Sequence, residues 1–192
     1  MTDEGTRRRR NPEQTRGVII GALLELLHEG DFQPTTKSLA ARAGVSERNI
    51  FVHFPGRDEL LVAATDAQSE KVEALIARPD PAWPLTRRVD LAVEQSAAIY
   101  AHQRNPRLLG LLASPAVPGI DERMRLTDKR IRDALDAAFA PELDGDPELL
   151  DLIDAALGWP TRHHLVERRA LGTEAASAAI RRTLLALLTA ER

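Results

Sequence analysis

Gly44 lies between two short runs of apolar residues at helical spacing, and no other feature restricts the chain as much. Before it, Leu39, Ala40 and Ala43 make one stripe; after it, Val45, Ile50 and Phe54 continue the contact. Glycine reaches positive φ without a Cβ penalty, so one helix can stop at Ala43 and another leave at a sharp angle. Ser46 supplies an N-cap for the second helix, expected over 47–54. Its outer face begins Glu47, Arg48, Asn49, residues poorly suited to a core. Two helices joined this tightly, with a polar face on the second, read as a helix-turn-helix that presents side chains to DNA.

The same punctuation runs along the whole chain. Asn11-Pro12 with Gln14 is an N-cap, a first-turn proline and a capping-box residue, opening a helix with the stripe Ile19, Ala22, Leu23, Leu26, Leu27 that stops at Gly30. Thr36 is the expected N-cap of the second helix. Pro55-Gly56 ends the third, and Arg57 begins a fourth, expected to reach residue 77 or 78. The proline-rich stretch 78–84 is the clearest linker. Further helices are expected over 85–103, from Asn105-Pro106 to about 113, over 120–140, from Asp146-Pro147, and from Thr173. No stretch alternates as a strand does. The expectation is an all-α protein of about nine helices, with a helix-turn-helix head over 11–58 and a helical body over 59–192.

Composition narrows the function. With no cysteine, disulfides, thiolate metal sites and cysteine nucleophiles are excluded. No Gly-rich phosphate loop, G-x-S-x-G elbow or H-E-x-x-H occurs, so no catalytic residue and no cofactor is expected. His163 and His164 point about 100° apart on a helix; His163 with Glu167 lacks a third ligand, so no metal is expected either. The absence of an apolar h-region or a long apolar run suggests a cytoplasmic protein with no membrane partner. The net charge of −3 conceals an asymmetry. Residues 7–57 hold nine Lys/Arg against five Asp/Glu, while residues 58–192 hold 17 against 22. Arg7, Arg8, Arg9 and Arg10 read either as a solvated tail or as an arm that neutralises phosphates or enters a minor groove.

The run TTKSLAARAGVSERNIFVHFPGRDELL, following the helix end ALLELLHEG, resembles the tetracycline-repressor (TetR) family of bacterial transcription regulators. The match rests on Thr36, Leu39, Ala40, Ala43, Gly44, Val45, Ser46, Ile50, Phe51, His53, Phe54 and Leu60 taken jointly. The resemblance implies a homodimer, commonly a repressor, that sets its third helices in successive major grooves of a palindromic double-stranded operator, about 34–36 Å apart. Glu47, Arg48 and Asn49 would then reach base edges, and Phe51 a thymine methyl. Thr36, Lys37, Ser46, Asn49, Val52, His53 and Arg57 would meet the backbone around them. Phe51, where the family commonly has tyrosine, and Val52, where a polar or larger aromatic residue often stands, leave this face less polar than expected. The resemblance also implies a small-molecule effector in the body, with Trp83, Tyr100, His102, Met124, Phe139, Trp159 and His163 as candidate lining. Gly158-Trp159-Pro160 with Arg162 and Leu165 resembles the family's penultimate helix, so the last two helices would form the dimer interface through Leu165, Ile180, Leu184, Leu187 and Leu188. Packing of that stripe inside one chain is the alternative. A family-shaped binding module that no longer reads DNA is the other functional reading.

Overall fold

The computed structural model describes residues 11–190, and every regular element among them is helical. The head is α1 (Pro12–His28), α2 (Thr36–Ala43), α3 (Glu47–His53) and the start of α4 (Arg57–Glu73). The body adds α5 (Leu85–Ala113), α6 (Pro118–Leu143), α7 (Pro147–Leu157), α8 (Trp159–His163), a π turn over His164–Arg168, and α9 (Thr173–Leu188).

Local chemistry sets most boundaries. Asn11, Ser46 and Asp146 each accept a backbone N–H from the first turn of the helix they precede. Gly44 takes φ 64° and ψ 38°, the left-handed conformation that the turn between α2 and α3 requires. The cap of α2 is Thr35, whose hydroxyl accepts from Ser38 N at 3.0 Å; Thr36, the expected cap, is the first helical residue.

Two apolar cores result. One unites Ile19, Leu23, Leu39, Ile50 and Phe54 of the head with Leu60, Leu61 and Ala64 of α4 and Ile120 and Met124 of α6. The head therefore has no core closed off at residue 58. The second joins Val89 and Val93 of α5, Phe139 of α6, Ile153 of α7 and Ile180, Leu184 and Leu188 of α9. The stripe that the resemblance assigned to a partner subunit thus packs inside the chain, because α9 turns it toward α5 and α7. Leu165 and Leu187 are half-buried against the same core. The outward face of α9 carries Ala175, Ala178, Arg182 and Ala186 instead.

Four boundaries depart from the sequence expectation, each for a physical reason. The fourth helix stops at Glu73, and the N–H of Ala77 is taken by the side chain of Gln95 at 2.5 Å. The sixth begins at Pro118 and passes Pro141 to Leu143, ending where Asp144 and Gly145 both turn to positive φ. Gly158 is extended, with ψ 156°, so the axis breaks there and Pro160 falls in the first turn of α8 rather than kinking a continuous helix. Most consequential, α5 runs unbroken through Pro106, where two helices were expected. Proline removes the N–H that would bond the carbonyl four residues back. That carbonyl, on His102, instead accepts from Gln68 Nε2 at 2.8 Å, and His28 Nε2 lies 2.9 Å from it. Two neighbouring helices supply what the proline removes.

Candidate nucleic-acid interface and cavity

The geometry of α3 starts from what holds it. Ile50 and Phe54 are its buried anchors, and Glu47, Arg48, Asn49, Phe51 and Val52 are left together in solvent. Phe51 and Val52 are 58% and 66% exposed, apolar side chains that no protein contact accounts for. Arg16 of α1 steadies the far end of the helix, donating to the carbonyl of His53 with its guanidinium 4.1 Å over the Phe54 ring. Sequence reasoning missed Arg16, which is masked within a helix by its ordinary polar spacing.

Lys37 at the start of α2 and Arg57 at the start of α4 are exposed, while Thr36 and His53 are half-buried between them. Thr36, Phe51 and Arg57 share the rim of an open groove of about 410 Å³ between these elements. Ser46 is committed to capping through its acceptor oxygen, 3.2 Å from Asn49 N. Arg7, Arg8, Arg9 and Arg10 lie outside the described residues.

Charge placement matters more than charge count. Residues 11–57 hold five basic groups and five acidic ones, so the excess seen over 7–57 belongs to those four arginines. Within the described head, Arg42 is fully engaged: it meets Glu29 at 2.7 and 2.8 Å and Glu25 at 3.4 Å. Its hydrogen bonds hold the Glu29 carboxyl below the usual glutamate range. Arg16 is held against Phe54. Among the described residues no ion pair engages Lys37, Arg48 or Arg57. The free cations thus lie on and beside α3, with Glu47 as the acid among them.

The joint between head and body is a second feature that sequence reasoning missed. Beside the His102 carbonyl, Asn105 Nδ2 donates to the carbonyls of Leu27 and His28 at 2.9 and 3.2 Å, closing the end of α1. His28 Nδ1 lies 2.5 Å from the Leu24 carbonyl, so both its ring nitrogens face carbonyl oxygens. The His102 ring stands 6.0 Å from that of His28; burial, and then Lys71 and His28, lower its pKa. His102 and Asn105 therefore grip α1, and the turn around Pro106 is where the grip is made.

On its other side the same turn borders a cavity of about 400 Å³ between α5, α6, α7 and α8, to which Gln103, Arg107, Tyr100 and Trp159 all contribute. Of the sequence candidates for a pocket, Tyr100 and Trp159 meet here. His163 stacks on Trp159 at 4.3 Å and lies 3.3 Å from the Tyr100 hydroxyl, which donates to Glu167 at 3.1 Å. Burial, followed by Glu167, pushes the Tyr100 phenol up to about 12. The remaining candidates are elsewhere. Trp83 is under Arg87 in the linker, Phe139 is sealed in the second core, Met124 borders a small separate space, and His102 faces the joint. Arg162, 1% exposed, secures the cavity's far wall through Val93 O, Ser96 Oγ and Ser177 Oγ; burial without a carboxylate lowers its pKa.

Among the described residues no cluster of three His, Asp or Glu side chains could hold a metal, and no helix is long and apolar enough to cross a membrane. A small helix-turn-helix head with free cations on and beside its second helix, joined to a larger helical body, is the architecture of a class of DNA-binding regulator. Residues 19–64 match the family described as bacterial regulatory proteins, tetR family. The matched stretch runs from the middle of α1 through α2 and α3 into the first half of α4, so the resemblance covers the helix-turn-helix head.

Similarity to individual proteins is more distant. The chain is 27% identical over 127 residues to the nucleoid occlusion factor SlmA of Aliivibrio fischeri, covering 65% of this chain and 64% of that protein. It is 31% identical over 113 residues to the SlmA of Vibrio cholerae, covering 57% of each. The matched region thus spans a little under two thirds of these curated relatives. In fold it resembles a Rhodococcus transcriptional regulator, with TM-score 0.70 and 20% identity over 93% of this chain and 96% of that one. It also resembles Salmonella enterica GusR, with TM-score 0.65 and 18% identity over 95% and 99%.

Proposed function

We propose that the protein is a transcriptional regulator that binds a palindromic DNA operator as a homodimer and releases it in response to a small molecule held in the body. The observation that carries this reading is the exposed set Glu47, Arg48 and Asn49 on a helix anchored from behind, flanked by the unpaired Lys37 and Arg57. Arg48 suits bidentate pairing with guanine and Glu47 acceptance from cytosine. Lys37, His53 and Arg57, with Thr36, would fix the register on phosphates, and Arg7, Arg8, Arg9 and Arg10 would add sequence-independent attraction. Phe51 and Val52 suit apolar contact with thymine methyls. The role is regulatory, carried out in the cytoplasm, with repression by occupancy as the mode.

Dimerisation would use the outward faces of α8, the π turn and α9, where small side chains permit close approach. The effector reading rests on the turn around Pro106: Gln103 and Arg107 border the cavity while His102 and Asn105 hold α1. A ligand that displaces this segment of α5 necessarily changes the grip on the head, which is the differential contact between two states that coupling requires.

Selection of bound sequences from random DNA tests the reading directly. A palindromic consensus is expected, with affinity falling steeply as salt rises. Arg48→Ala should relax preference at one position of each half-site, whereas Arg57→Ala should weaken binding on all sequences alike. No preference for any sequence over random DNA at moderate salt would instead make the chain a family-shaped binding module.

A further inference from the structure

We propose that the cavity between α5, α6, α7 and α8 takes an uncharged, largely apolar small molecule with one hydrogen-bond acceptor, received by the indole N–H of Trp159. The inference rests on the reading of the body as an effector domain and supplies the chemistry of the effector.

Volume and walls set the first limit. At about 400 Å³ the cavity is at the lower end of small-molecule sites, which span about 300–1,000 Å³. Ala92, Ile99, Ile131 and Leu135 contribute its apolar surface. Burial of apolar ligand surface against them is the driving force.

Trp159 sets the second. It lines the cavity, and its indole Nε1–H is a buried donor with no acceptor in the protein. Its ring is fixed by the stack on His163, so the donor cannot turn away to find one. A buried donor in this condition is relieved by a carbonyl or ether oxygen and left unrelieved by a pure hydrocarbon.

The charged residues of the lining set the third. Asp128, Asp151 and Asp154 line the cavity, and Arg107 is the one basic side chain on its lining. Both terminal nitrogens of Arg107 are bound to Asp128, at 2.8 and 2.6 Å. Asp151 and Asp154 share Arg132, at 2.5 and 3.5 Å. Arg107 keeps one buried N–H without a partner, at Nε, but its charge is already neutralised by Asp128, so no uncompensated cation on the lining awaits a carboxylate or phosphate, and three carboxylates oppose one. Each carboxylate already has a guanidinium, so the lining also lacks a vacant anion for an ammonium group. Burial raises the Asp154 pKa in spite of Arg132, in keeping with a wall that disfavours further charge.

Three nine-carbon probes separate the possibilities: 2-nonanone, nonanoate and nonylammonium. A Trp83→Phe protein retains Trp159 as its one tryptophan, so emission reports on the cavity wall. Titration at neutral pH should show 2-nonanone binding roughly tenfold or more tightly than either charged probe. Trp159→Phe keeps an aromatic ring in place, though a smaller one, and removes the donor, and thermal upshift by 2-nonanone should then require roughly tenfold more ketone. Asp154→Asn should strengthen nonanoate while leaving the ketone unchanged, a second readout if the Trp159 variant folds poorly. Equal or tighter binding of nonanoate or nonylammonium overturns the proposal, as does the absence of any response to 2-nonanone up to about 1 mM. Operator binding is measured apart from these titrations, so failure of one reading leaves the other to its own result.

Discussion

Replacing Gly44 by alanine isolates the conformational demand of the turn between α2 and α3. An added Cβ would meet no atom within 4 Å, so packing contributes nothing to the penalty. What remains is backbone: φ 64° places an L-residue in the left-handed region, at about 1–2 kcal/mol. Alanine also narrows the unfolded ensemble, which offsets this by about 0.4–1 kcal/mol. The expected net loss is therefore about 1 kcal/mol, a fall in Tm of roughly 2–4 °C for a chain of this size. Asparagine tolerates the left-handed region far better than alanine, so Gly44→Asn should lose less than half as much. Gly158→Ala is the useful contrast, since φ there is −63° but the Cβ would lie 3.0 Å from the Asp154 carbonyl, a steric penalty that asparagine cannot relieve. Urea titration of the four proteins measures all of this. A Gly44→Ala loss above about 3 kcal/mol, or equal losses for alanine and asparagine, would refute the assignment to backbone conformation alone.

Other outcomes follow from the same structure. Asn105→Ala removes the donor on the Leu27 and His28 carbonyls and should lower stability by about 1–2 kcal/mol, with faster hydrogen exchange concentrated at the end of α1. Glu142→Gln leaves Arg88, 3% exposed, without the carboxylate it meets at 2.5 and 2.6 Å; denaturant titration should show a loss of about 3–5 kcal/mol. Asp154 has a raised pKa, so its folded form binds a proton more readily than the unfolded chain does. The stability it contributes is complete below the ordinary aspartate range and is lost as pH rises through its raised value. Asp154→Asn should accordingly be more stable than the parent at neutral pH, with the difference vanishing in acid; a difference that grows in acid contradicts the burial argument.

Legibility in the sequence followed the reach of each interaction. Gly44, Ser46 and Asp146 could be read because a cap or a left-handed turn is decided within three or four residues. Thr35 and Thr36 could not be told apart, since adjacent threonines offer the same hydroxyl. Pro106 was read as a helix start because the groups that rescue it come from Gln68 and His28, 34 and 74 residues from His102. The stripe Ile180, Leu184, Leu188 was visible as apolar, but periodicity does not say whether the covering surface belongs to the same chain. On the reading face the polar start of α3 was legible. Arg16 was not, because its value lies in reaching the His53 carbonyl 37 residues away.

The bond missing from α5 at Pro106 hands a backbone acceptor to the neighbouring helices. An ordinary helix would satisfy the His102 carbonyl from within, leaving its neighbours at most a second, weaker claim on it. Here the acceptor stays open on the flank of α5, and α1 and α4 both reach it. A small roll of α5 at this turn moves one oxygen and alters the registry of three helices together. With no N–H at Pro106 to claim it, this one acceptor ties α5 to both α1 and α4, and an irregular helix keeps the two halves of the molecule in step.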